Sequence, residues 1–467
     1  MTVEVLAERV APARSRVRPA DASLRLLADG VGGISLAVVV ILWATGPGSA
    51  AIWTSTANAL TGLGRLSGLL AADLLLIQVL LMARVPVLEA SFGRDRLVRR
   101  HRVVGFTSFA LIWIHIGSVT SGYSLLVGGN WASQTWDLIA NYPGMLLAVA
   151  GVAATCLVAA TSMRIARRRL RYASWHLLHL YAYLGVGLAL PHQIWAGADF
   201  TSSPGARLYW LSLYALTLAA VLTFRVGLPA WRTLRHQITV LSVEQESPEV
   251  VTVRLAGRDL HRLPARAGQF FIWRFLDGAG WSRGHPYSLS APPRLNQIRI
   301  TAKGRGESLA RLAALRPGTW VQIEGPYGRL TGERRTATTL AMFACGIGIT
   351  PLRALLEDEN YRPGDAVLVY RARREEDLVF RAELEALAAH RGVRIHYLVG
   401  HRTRDGSWLP AGAFEGSDAD AVRHFVPSIT DCDVFICGPE TWSEAVRAAS
   451  VAAGVPGPRV HSERFAW

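Results

Sequence analysis

Six long apolar stretches in the first half of the chain constrain its fold more than any other sequence feature. They lie at 31–47, 65–83, 103–120, 143–160, 173–191 and 207–224. Each approaches the roughly 20 residues that a helix needs to cross a bilayer. A buried core helix explains one or two such stretches but not six within one half of a chain. We therefore predict a six-helix, all-α transmembrane bundle.

Charge supports a membrane rather than a nucleic acid as the partner. The net charge is +15, yet only 18% of the residues are charged and 51% are hydrophobic. Arginine clusters precede the first stretch and occupy the segments between stretches two and three, between four and five, and after six. Because arginines concentrate in cytoplasmic loops, both termini are expected on the cytoplasmic side. The chain is thus predicted to be integral to the bilayer, with no nucleic-acid partner.

From about residue 236 the sequence texture changes to short β-branched runs separated by Gly and Pro turns. This pattern predicts an antiparallel β-barrel. From about residue 337, strands, Gly turns and helices alternate, which is typical of a doubly wound α/β domain of Rossmann type. The expected organisation is an N-terminal tail at 1–28, a membrane domain at 29–227, a barrel domain at 228–335 and an α/β domain at 336–467.

Four histidines bracket two of the membrane stretches. His101 and His115 are 14 residues apart, and His179 and His192 are 13 apart, so each pair spans an axial rise of about 20 Å along a helix. Two helices with matched pairs suit bis-imidazole ligation of two b-type haems. Topology pairs His101 with His179 and His115 with His192. Thirteen residues rotate His192 off the face of His179, and Pro191 is a candidate kink that corrects this.

Other polar residues near these stretches each have alternative roles. His176 competes with His179 as a ligand, but its spacing from His192 matches the partner helix less well. Arg65, Arg84 and Arg102 are either partners for haem propionates or arginines that extend to the membrane surface. Asp73 lies in the middle of a stretch and either pairs with a polar neighbour or carries protons.

Two segments of the barrel region have flavin-binding character. The run His285-Pro286-Tyr287-Ser288-Leu289-Ser290 combines a phenol that can stack on a flavin with small hydroxyl donors. Lys303, Gly306 and Ser308 then open a helical segment whose backbone N–H groups suit a pyrophosphate. We therefore predict an FAD site that includes His285, Pro286, Tyr287, Ser288 and Ser290, together with the Lys303–Ser308 segment.

A nicotinamide site is expected at one edge of the α/β domain. Cys345-Gly346-Ile347-Gly348-Ile349-Thr350-Pro351 follows an apolar strand and opens a helix, which allows the backbone to approach a diphosphate. Gly438 and Pro439 close a later strand at the same edge. Arg371 and Arg373 follow the second strand, where a 2′-phosphate would be read, which favours NADPH while leaving NADH open.

Cysteine usage argues against two other kinds of centre. Cys156, Cys345, Cys432 and Cys437 show no Cys-x-x-Cys spacing. We therefore expect no iron–sulfur cluster and no disulfide framework.

Together these motifs resemble the ferric reductase and NADPH oxidase superfamily, here in its bacterial plasma-membrane form. The four-histidine spacing, His-Pro-Tyr-Ser, Gly325-Pro326-Tyr327-Gly328 and the Gly-x-Gly-x-Thr-Pro box carry the resemblance. It implies a bis-haem membrane domain fused to a ferredoxin–NADP reductase-like module. It also implies a hydride-transfer site formed by Ser288, Cys437, Glu463 and Phe465, with Trp467 as an alternative aromatic cover for the flavin.

The function expected from this resemblance is electron transfer across the membrane. NAD(P)H on the cytoplasmic side would supply electrons through FAD and two haems to an external acceptor, a ferric chelate or oxygen. The alternative is a membrane-anchored, flavin-dependent NAD(P)H reductase that serves a membrane or protein partner without haem.

Overall fold

A computed structural model describes residues 20–170, 172–201, 203–278, 283–402 and 406–464 of the chain. Two of the residues named above, Phe465 and Trp467, therefore lie outside the described part. The chain divides into two compact units, residues 20–228 and residues 229–464.

The first unit is helical throughout its described residues. Six long helices alternate with short ones. In chain order the helices are α1 (Ala20–Ala44), α2 (Pro47–Ala50), α3 (Thr56–Leu81), α4 (Pro86–Phe92), α5 (Arg94–Val127), α6 (Trp131–Asn141), α7 (Met145–Ser162), α8 (Arg164–Arg169), α9 (Tyr172–Trp195), α10 (Ala198–Thr201) and α11 (Pro204–Val221). A π-helical turn, Leu222–Gly227, continues α11 into α12 (Leu228–His236).

Five helices in the described residues are long and apolar enough to cross a membrane, rather than the predicted six. They contain Ser23–Ala44, Thr56–Leu81, Arg94–Val127, Met145–Ser162 and Pro204–His236. The fifth predicted stretch, 173–191, does form a helix, α9, but it does not reach the same apolarity. Histidines, tyrosines and Pro191 within α9 lower its mean hydropathy.

Local sequence explains where these helices begin and how they pack. The Ser55 hydroxyl accepts a hydrogen bond from the Asn58 backbone at the start of α3, as expected for an N-cap. Ser203 does the same for α11, with Pro204 in its first turn. Gly93, with φ at 74°, separates α4 from α5. Helix α5 packs along α3, and α9 packs along α7.

The second unit begins with antiparallel strands. Their bounds are β1 (Thr239–Ser247), β2 (Val250–Ala256), β3 (Phe270–Phe275), β4 (His285–Ser288), β5 (Gln297–Lys303) and β6 (Val321–Tyr327), with α13 (Glu307–Ala313) after β5. Instead of the single predicted barrel, the described strands form two three-stranded sheets, β1-β2-β5 and β4-β3-β6. Isolated bridges at Leu289–Ile300 and Thr239–Trp320 join them. The apolar side chains still form one common core.

The remaining strands form a five-stranded parallel sheet in the order β11-β10-β7-β8-β9, as the α/β interpretation requires. The elements are β7 (Thr339–Cys345), α14 (Ile349–Asp358), β8 (Ala366–Ala372), α15 (Arg381–Arg391), β9 (Arg394–Val399), α16 (Asp418–Phe425), β10 (Cys432–Gly438), α17 (Glu440–Ala452) and β11 (Val460–Arg464). Strand order reverses between β7 and β10, so a ligand crevice is expected outside their carboxyl ends. Separate apolar cores cover the two faces of the sheet.

Candidate functional site

The first unit brings its four predicted ligand histidines together in two pairs. The ring centroids of His101 and His179 are 6.0 Å apart, with the ring planes at 65° to each other. His115 and His192 lie close enough for their charges to interact. Helix α9 runs through Pro191 without ending, and His192 still faces its partner on α5. His176 is a neighbour of His179 on the same helix.

Hydrogen bonds orient the rings of all four histidines through the same ring nitrogen. Nδ1 lies 3.2 Å from the Gln78 carbonyl for His101, 2.8 Å from the Gly64 carbonyl for His115 and 2.6 Å from the Ala189 carbonyl for His192. Nδ1 of His179 lies 3.3 Å from the Ser162 hydroxyl. A carbonyl oxygen only accepts, so Nδ1 of His101, His115 and His192 donates, and in a neutral ring Nε2 keeps its lone pair.

This arrangement fits a metal between paired rings. Histidine ligands in metalloproteins donate their other ring N–H to a carbonyl or carboxylate, which fixes the tautomer. Two imidazoles bound to one ion at about 2 Å have ring centroids roughly 6 Å apart, close to the separation of the His101 and His179 rings. A bis-imidazole haem needs two such nitrogens and no third protein ligand.

Backbone packing around the pairs is also consistent with a bulky group. Helices α5 and α9 make few close backbone approaches to each other in the described residues, whereas each packs tightly on another neighbour. The histidines therefore lie between two helix backbones that stand apart. Glycines leave room for the histidines, because a Cβ at Gly68 would lie 2.5 Å from Nδ1 of His115. A Cβ at Gly144 would lie 2.7 Å from the backbone nitrogen of His192.

The arginines predicted as propionate partners differ in position. Arg65 donates to the Tyr123 hydroxyl at 3.2 Å and lies 3.9 Å from the buried carboxylate of Asp199. Arg102 is exposed, and Arg84 adopts a positive φ of 65° just after α3. Arg65 is thus the best-anchored of the three cations.

In the second unit, the Gly-rich turn lies at the expected switch point of the parallel sheet. Gly346, with φ at 57°, directly follows β7 and opens a short 3-10 turn into α14. A Cβ at Gly348 would lie 2.1 Å from the Cys437 carbonyl, so only glycine allows this approach. The Thr350 hydroxyl donates to the Ile347 carbonyl at 2.9 Å, and Pro351 is buried in the first turn of α14.

The ends of β10 and β11 bring two of the predicted catalytic residues side by side. Cys437 and Glu463 are partners in the parallel register of these strands. Cys437 is fully buried, and burial raises the pKa of its thiol well above its ordinary value. The Glu463 carboxylate accepts from the backbone nitrogens of Arg329 and Leu330 at 3.1 and 3.2 Å. It therefore lies against the turn that follows Gly325-Pro326-Tyr327-Gly328.

The flavin motif forms β4 and lines a cleft. The His285 and Tyr287 rings are parallel, with centroids 5.9 Å apart. The Tyr287 hydroxyl interacts with Ser308, and burial raises the pKa of its phenol. Burial, followed by the charges of Arg311 and Arg283, lowers the pKa of His285. The cleft is lined by Phe275, Arg283, His285, Tyr287, Ser308, Arg311, Leu312 and Leu315.

Arg311 is a site residue that sequence reasoning missed. It lies on α13 and pairs with Asp277 at the edge of the cleft. Its position one turn after Ser308 on the same helix is the signal that could have found it.

Pro286 pairs with Ile272 within the sheet, and Ser288 is buried opposite Phe270.

Two predicted flavin-binding residues have contacts that sequence did not suggest. Lys303 forms an ion pair with Asp377 at 2.7 Å and a longer one with Glu249 at 3.8 Å. The Ser290 hydroxyl is buried and receives bonds from Arg299 and Thr301. Gly306 caps α13 with φ at 76°. Lys303 thus joins the antiparallel part of the unit to its parallel part, where Asp377 lies.

The two arginines predicted to read a 2′-phosphate are not equivalent. Arg371 is 5% exposed, and it donates to the Gly400 carbonyl at 2.9 Å, with its other terminal nitrogen 3.6 Å from Cys345 Sγ. Arg373 is exposed. Arg402, which sequence reasoning missed, is an electrostatic neighbour of Cys345 and lies 3.4 Å from the Thr441 hydroxyl. Arg402 follows the parallel strand β9, whereas Arg371 is the penultimate residue of β8.

Comparison with known proteins supports both halves of this description. Residues 67–190 match the family described as the ferric reductase like transmembrane component. Residues 342–448 match the oxidoreductase NAD-binding domain. The chain is a fusion of the ferric reductase and NADPH oxidase type. The first match contains His101, His115 and His179, and His192 follows it by two residues. The second contains the Gly346–Pro351 turn and the Gly438-Pro439 pair.

Curated relatives of this ferric-reductase-type fusion cover about half of it. Ferredoxin–NADP reductase B of Sorangium cellulosum is 34% identical over 48% of this chain and 96% of its own length. The ferredoxin–NAD(+) reductase component of the alkene monooxygenase system of Xanthobacter autotrophicus is 31% identical over 50% of this chain and 70% of its own. The fusion therefore joins a ferric-reductase-like membrane domain to a ferredoxin-reductase-like NAD(P)H oxidoreductase module.

Among solved structures, a ferredoxin NADP+ reductase from Neisseria gonorrhoeae with bound FAD and NADP aligns with a TM-score of 0.40 and 19% identity. That alignment covers 49% of the fusion and 98% of the other chain.

Proposed function

We propose that the fusion is a transmembrane electron-transfer oxidoreductase. It passes electrons from cytoplasmic NAD(P)H, through FAD and two b-type haems, to an external acceptor, which is a ferric chelate or oxygen. When bound, FAD accepts the hydride of the nicotinamide and releases electrons singly, and bis-imidazole haems carry single electrons. The protein supplies binding, orientation and spacing.

The observation that carries this proposal is the geometry of the membrane histidines. Two pairs lie between the backbones of α5 and α9, and the ring centroids of His101 and His179 are 6.0 Å apart, a spacing compatible with one shared iron. Each Nδ1 is occupied by a hydrogen bond on the protein side, which leaves Nε2 for a metal. Buried ionisable groups within membrane helices are costly unless they serve a function.

In the second unit, this proposal assigns the chain's residues to two adjoining sites. The cleft with His285, Tyr287, Ser308 and Arg311 holds the flavin, since its phenol can stack and its cations suit phosphate. The crevice outside β7 and β10 holds the nicotinamide nucleotide, with its diphosphate at the Gly346–Gly348 turn. Ser288, Cys437, Glu463 and Phe465 complete the hydride-transfer site.

The positions of the arginines indicate how the chain is oriented in the membrane. Arg94, Arg96, Arg99 and Arg100 lie at one end of α5, and Arg167–Arg169 lie in α8, on the side of the membrane domain where His101 and His179 are placed. The positive-inside rule assigns that side, both termini and the flavin and nicotinamide domains to the cytoplasm. The His115 and His192 pair then faces the external acceptor.

A second candidate function is a membrane-anchored flavin reductase that uses no haem and serves a partner. The Xanthobacter relative, the reductase component of a multicomponent system, favours it. The two candidates differ in haem content and in the electron acceptor, and haem content is measured directly. Pyridine haemochrome analysis of the purified full-length chain is therefore the deciding experiment: two b-type haems per chain support the conduit, and a haem-free protein with bound flavin supports the reductase.

A further inference from the structure

A buried carboxyl group lies in the middle of the membrane unit, away from the histidines. Asp73 is 0% exposed and lies 17 residues after the start of α3 and eight before its end. The preceding residue on α3, Ala72, belongs to an apolar core cluster with Val39, Phe200 and Trp210. The mechanism proposed above does not use Asp73.

Two hydroxyl groups from two other helices meet this carboxyl group. The Ser35 hydroxyl on α1 donates to Oδ1 of Asp73 at 2.7 Å. The same hydroxyl lies 2.8 Å from the Tyr209 hydroxyl on α11, which donates to the Ser35 carbonyl at 3.2 Å. Oδ2 of Asp73 is buried and has no hydrogen-bond partner in the described residues. The three side chains form one chain of hydrogen bonds that ends at the partly exposed Tyr209.

Among the described residues, the polar groups that face this carboxyl group are Ser35 and Tyr209, and no cation forms an ion pair with it. Helix α5 packs against the opposite side of α3, where His115 and His101 contact Gly64 and Gln78. Nine residues separate Gly64 from Asp73, a rotation of about 180° on a helix. An ionised carboxylate in such a place is held only by its bond from Ser35, so additional negative charge nearby favours the uptake of a proton.

The hydrogen-bond chain can hold either proton state without moving a heavy atom. With Asp73 ionised, Ser35 donates to Oδ1 and accepts from Tyr209. With Asp73 protonated on Oδ1, the acid donates to the Ser35 hydroxyl, Ser35 donates to Tyr209, and Tyr209 donates to the Ser35 carbonyl at 3.2 Å. Each hydroxyl can act as both donor and acceptor. Reversal of the chain therefore transfers a proton between the carboxyl group and its partly exposed end.

We propose that Asp73, Ser35 and Tyr209 form a proton-binding site that compensates electron arrival in the membrane unit. As one electron enters, one proton from the aqueous phase binds the Asp73 carboxylate. The proton leaves when the electron moves on to the acceptor. Asp73 lies on the helix that orients two of the proposed ligands, about 13 Å along the axis from Gly64 and 7 Å from Gln78, which is close enough for charges to interact in a low-dielectric interior.

This proposal rests on the proposed function, which supplies the electron. It is tested by the pH dependence of the haem midpoint potential. Full-length protein in nanodiscs is titrated spectroelectrochemically through the neutral pH range. The wild-type midpoint potential should fall as pH rises, with a slope of at most about 59 mV for each tenfold change in proton concentration. Asp73→Asn should lose that slope. The control is Asp29→Asn, which removes an exposed carboxylate of α1 paired with Arg100 and should keep the slope.

Infrared difference spectroscopy gives a readout that does not depend on turnover. A protonated carboxyl band that changes on reduction should be present in the wild type and absent from Asp73→Asn. Tyr209→Phe should keep the band and slow proton exchange at least tenfold, because the chain loses its end. If Asp73→Asn does not fold, Ser35→Ala, which leaves the carboxyl group in place, should shift the band and slow exchange in the same way.

Failure of this inference is distinct from failure of the proposed function. If the protein contains no haem, the pH titration of the infrared band in the flavin-loaded chain still tests proton binding at Asp73. An unchanged slope in Asp73→Asn overturns the proposal, as does the absence of a carboxyl band. A potential that responds to Na+ and not to pH would also overturn it, by assigning the site to a metal cation.

Discussion

Nδ1 of His115 donates to the backbone carbonyl of Gly64 across the interface of α5 and α3, at 2.8 Å. The bond is possible because α3 approaches closely at its glycines, one turn apart at Gly64 and Gly68. The ring of His115 is therefore fixed from the α3 side, and its Nε2 is directed away from the hydrogen bond. The same relationship recurs between His101 and the Gln78 carbonyl at 3.2 Å.

Gly68→Ala should displace His115 and remove one of the two haems. An added Cβ would lie 2.5 Å from Nδ1 of His115, and overpacking of this kind costs about 1–3 kcal/mol. His115→Ala and His192→Ala should cause the same selective loss. Haem content per chain is the measurement. Gly117→Ala is the matched control, since a Cβ there meets nothing within 4 Å; equal losses in both glycine variants would contradict the assignment.

Arg373→Ala should raise the KM for NADPH about tenfold or more and change the KM for NADH little. A charge-assisted contact to a 2′-phosphate contributes roughly 1.5–3 kcal/mol. Initial rates with both nucleotides and ferricyanide as acceptor provide the measurement. The neighbouring Arg374, which forms ion pairs with Glu376 and Asp377, supplies the control Arg374→Ala. Equal KM values for the two nucleotides in the wild type would refute NADPH selectivity.

Arg371→Ala should instead destabilise the second unit. Its guanidinium is buried and donates to the Gly400 carbonyl, so the substitution leaves an unsatisfied acceptor and a cavity, at a cost of about 1–3 kcal/mol. Thermal unfolding followed by circular dichroism measures this change. A variant with unaltered stability and a selectively raised KM for NADPH would return Arg371 to the phosphate site.

Glu463→Ala should lower kcat/KM for NADPH oxidation about tenfold while the flavin stays bound. The carboxylate holds the end of β11 to the backbone nitrogens of Arg329 and Leu330, and each charge-assisted bond contributes about 1.5–3 kcal/mol. Glu463→Gln keeps an acceptor oxygen and should lose less. Single-turnover reduction of the flavin by NADPH measures the effect. If both variants reduce the flavin at the wild-type rate, Glu463 has no part in hydride transfer.

Acid should destabilise the second unit through Asp433. Burial alone would raise its pKa, but the hydrogen bonds from His461, Ala337 and Thr336 outweigh burial and hold the pKa below its ordinary value. A group with a lowered pKa stabilises the fold above its unfolded pKa of about 4, and that stabilisation is lost as pH falls further. Unfolding free energy should fall below about pH 4 in the wild type and less steeply in Asp433→Asn. Glu246→Gln, at an exposed position of β1, should behave as the wild type.

Apolar stretches, glycine turns and histidine spacing in the sequence predicted most of the architecture. The apolar stretches located the long helices, and the Gly-x-Gly turn after an apolar strand located the switch point between β7 and β10. The histidine spacing predicted the pairing on α5 and α9, even though the ideal rotation of 13 residues placed His192 on the wrong face. These features depend on residues close in sequence, where helix and strand geometry are fixed.

The directions of side chains and the division of the antiparallel strands into two sheets depend on residues far apart in sequence. The sequence patterns therefore did not predict them. Arg371 turns inward because Cys345 and Gly400 offer it partners, whereas Arg373, two residues later, is exposed. The antiparallel strands separate into two sheets because, among the described residues, they are joined only at the isolated bridges Leu289–Ile300 and Thr239–Trp320. Lys303 forms an ion pair with Asp377, 74 residues away. No local pattern encodes such contacts.

The most direct test of the central claim is anaerobic reduction of the purified full-length chain by NADPH, followed by absorbance. The flavin should be reduced first, and the bands of a reduced b-type haem should then appear. His101→Ala should retain flavin reduction and show much slower haem reduction, since a proposed haem ligand is lost. A wild-type protein whose flavin is fully reduced by NADPH while no haem band appears would contradict the account.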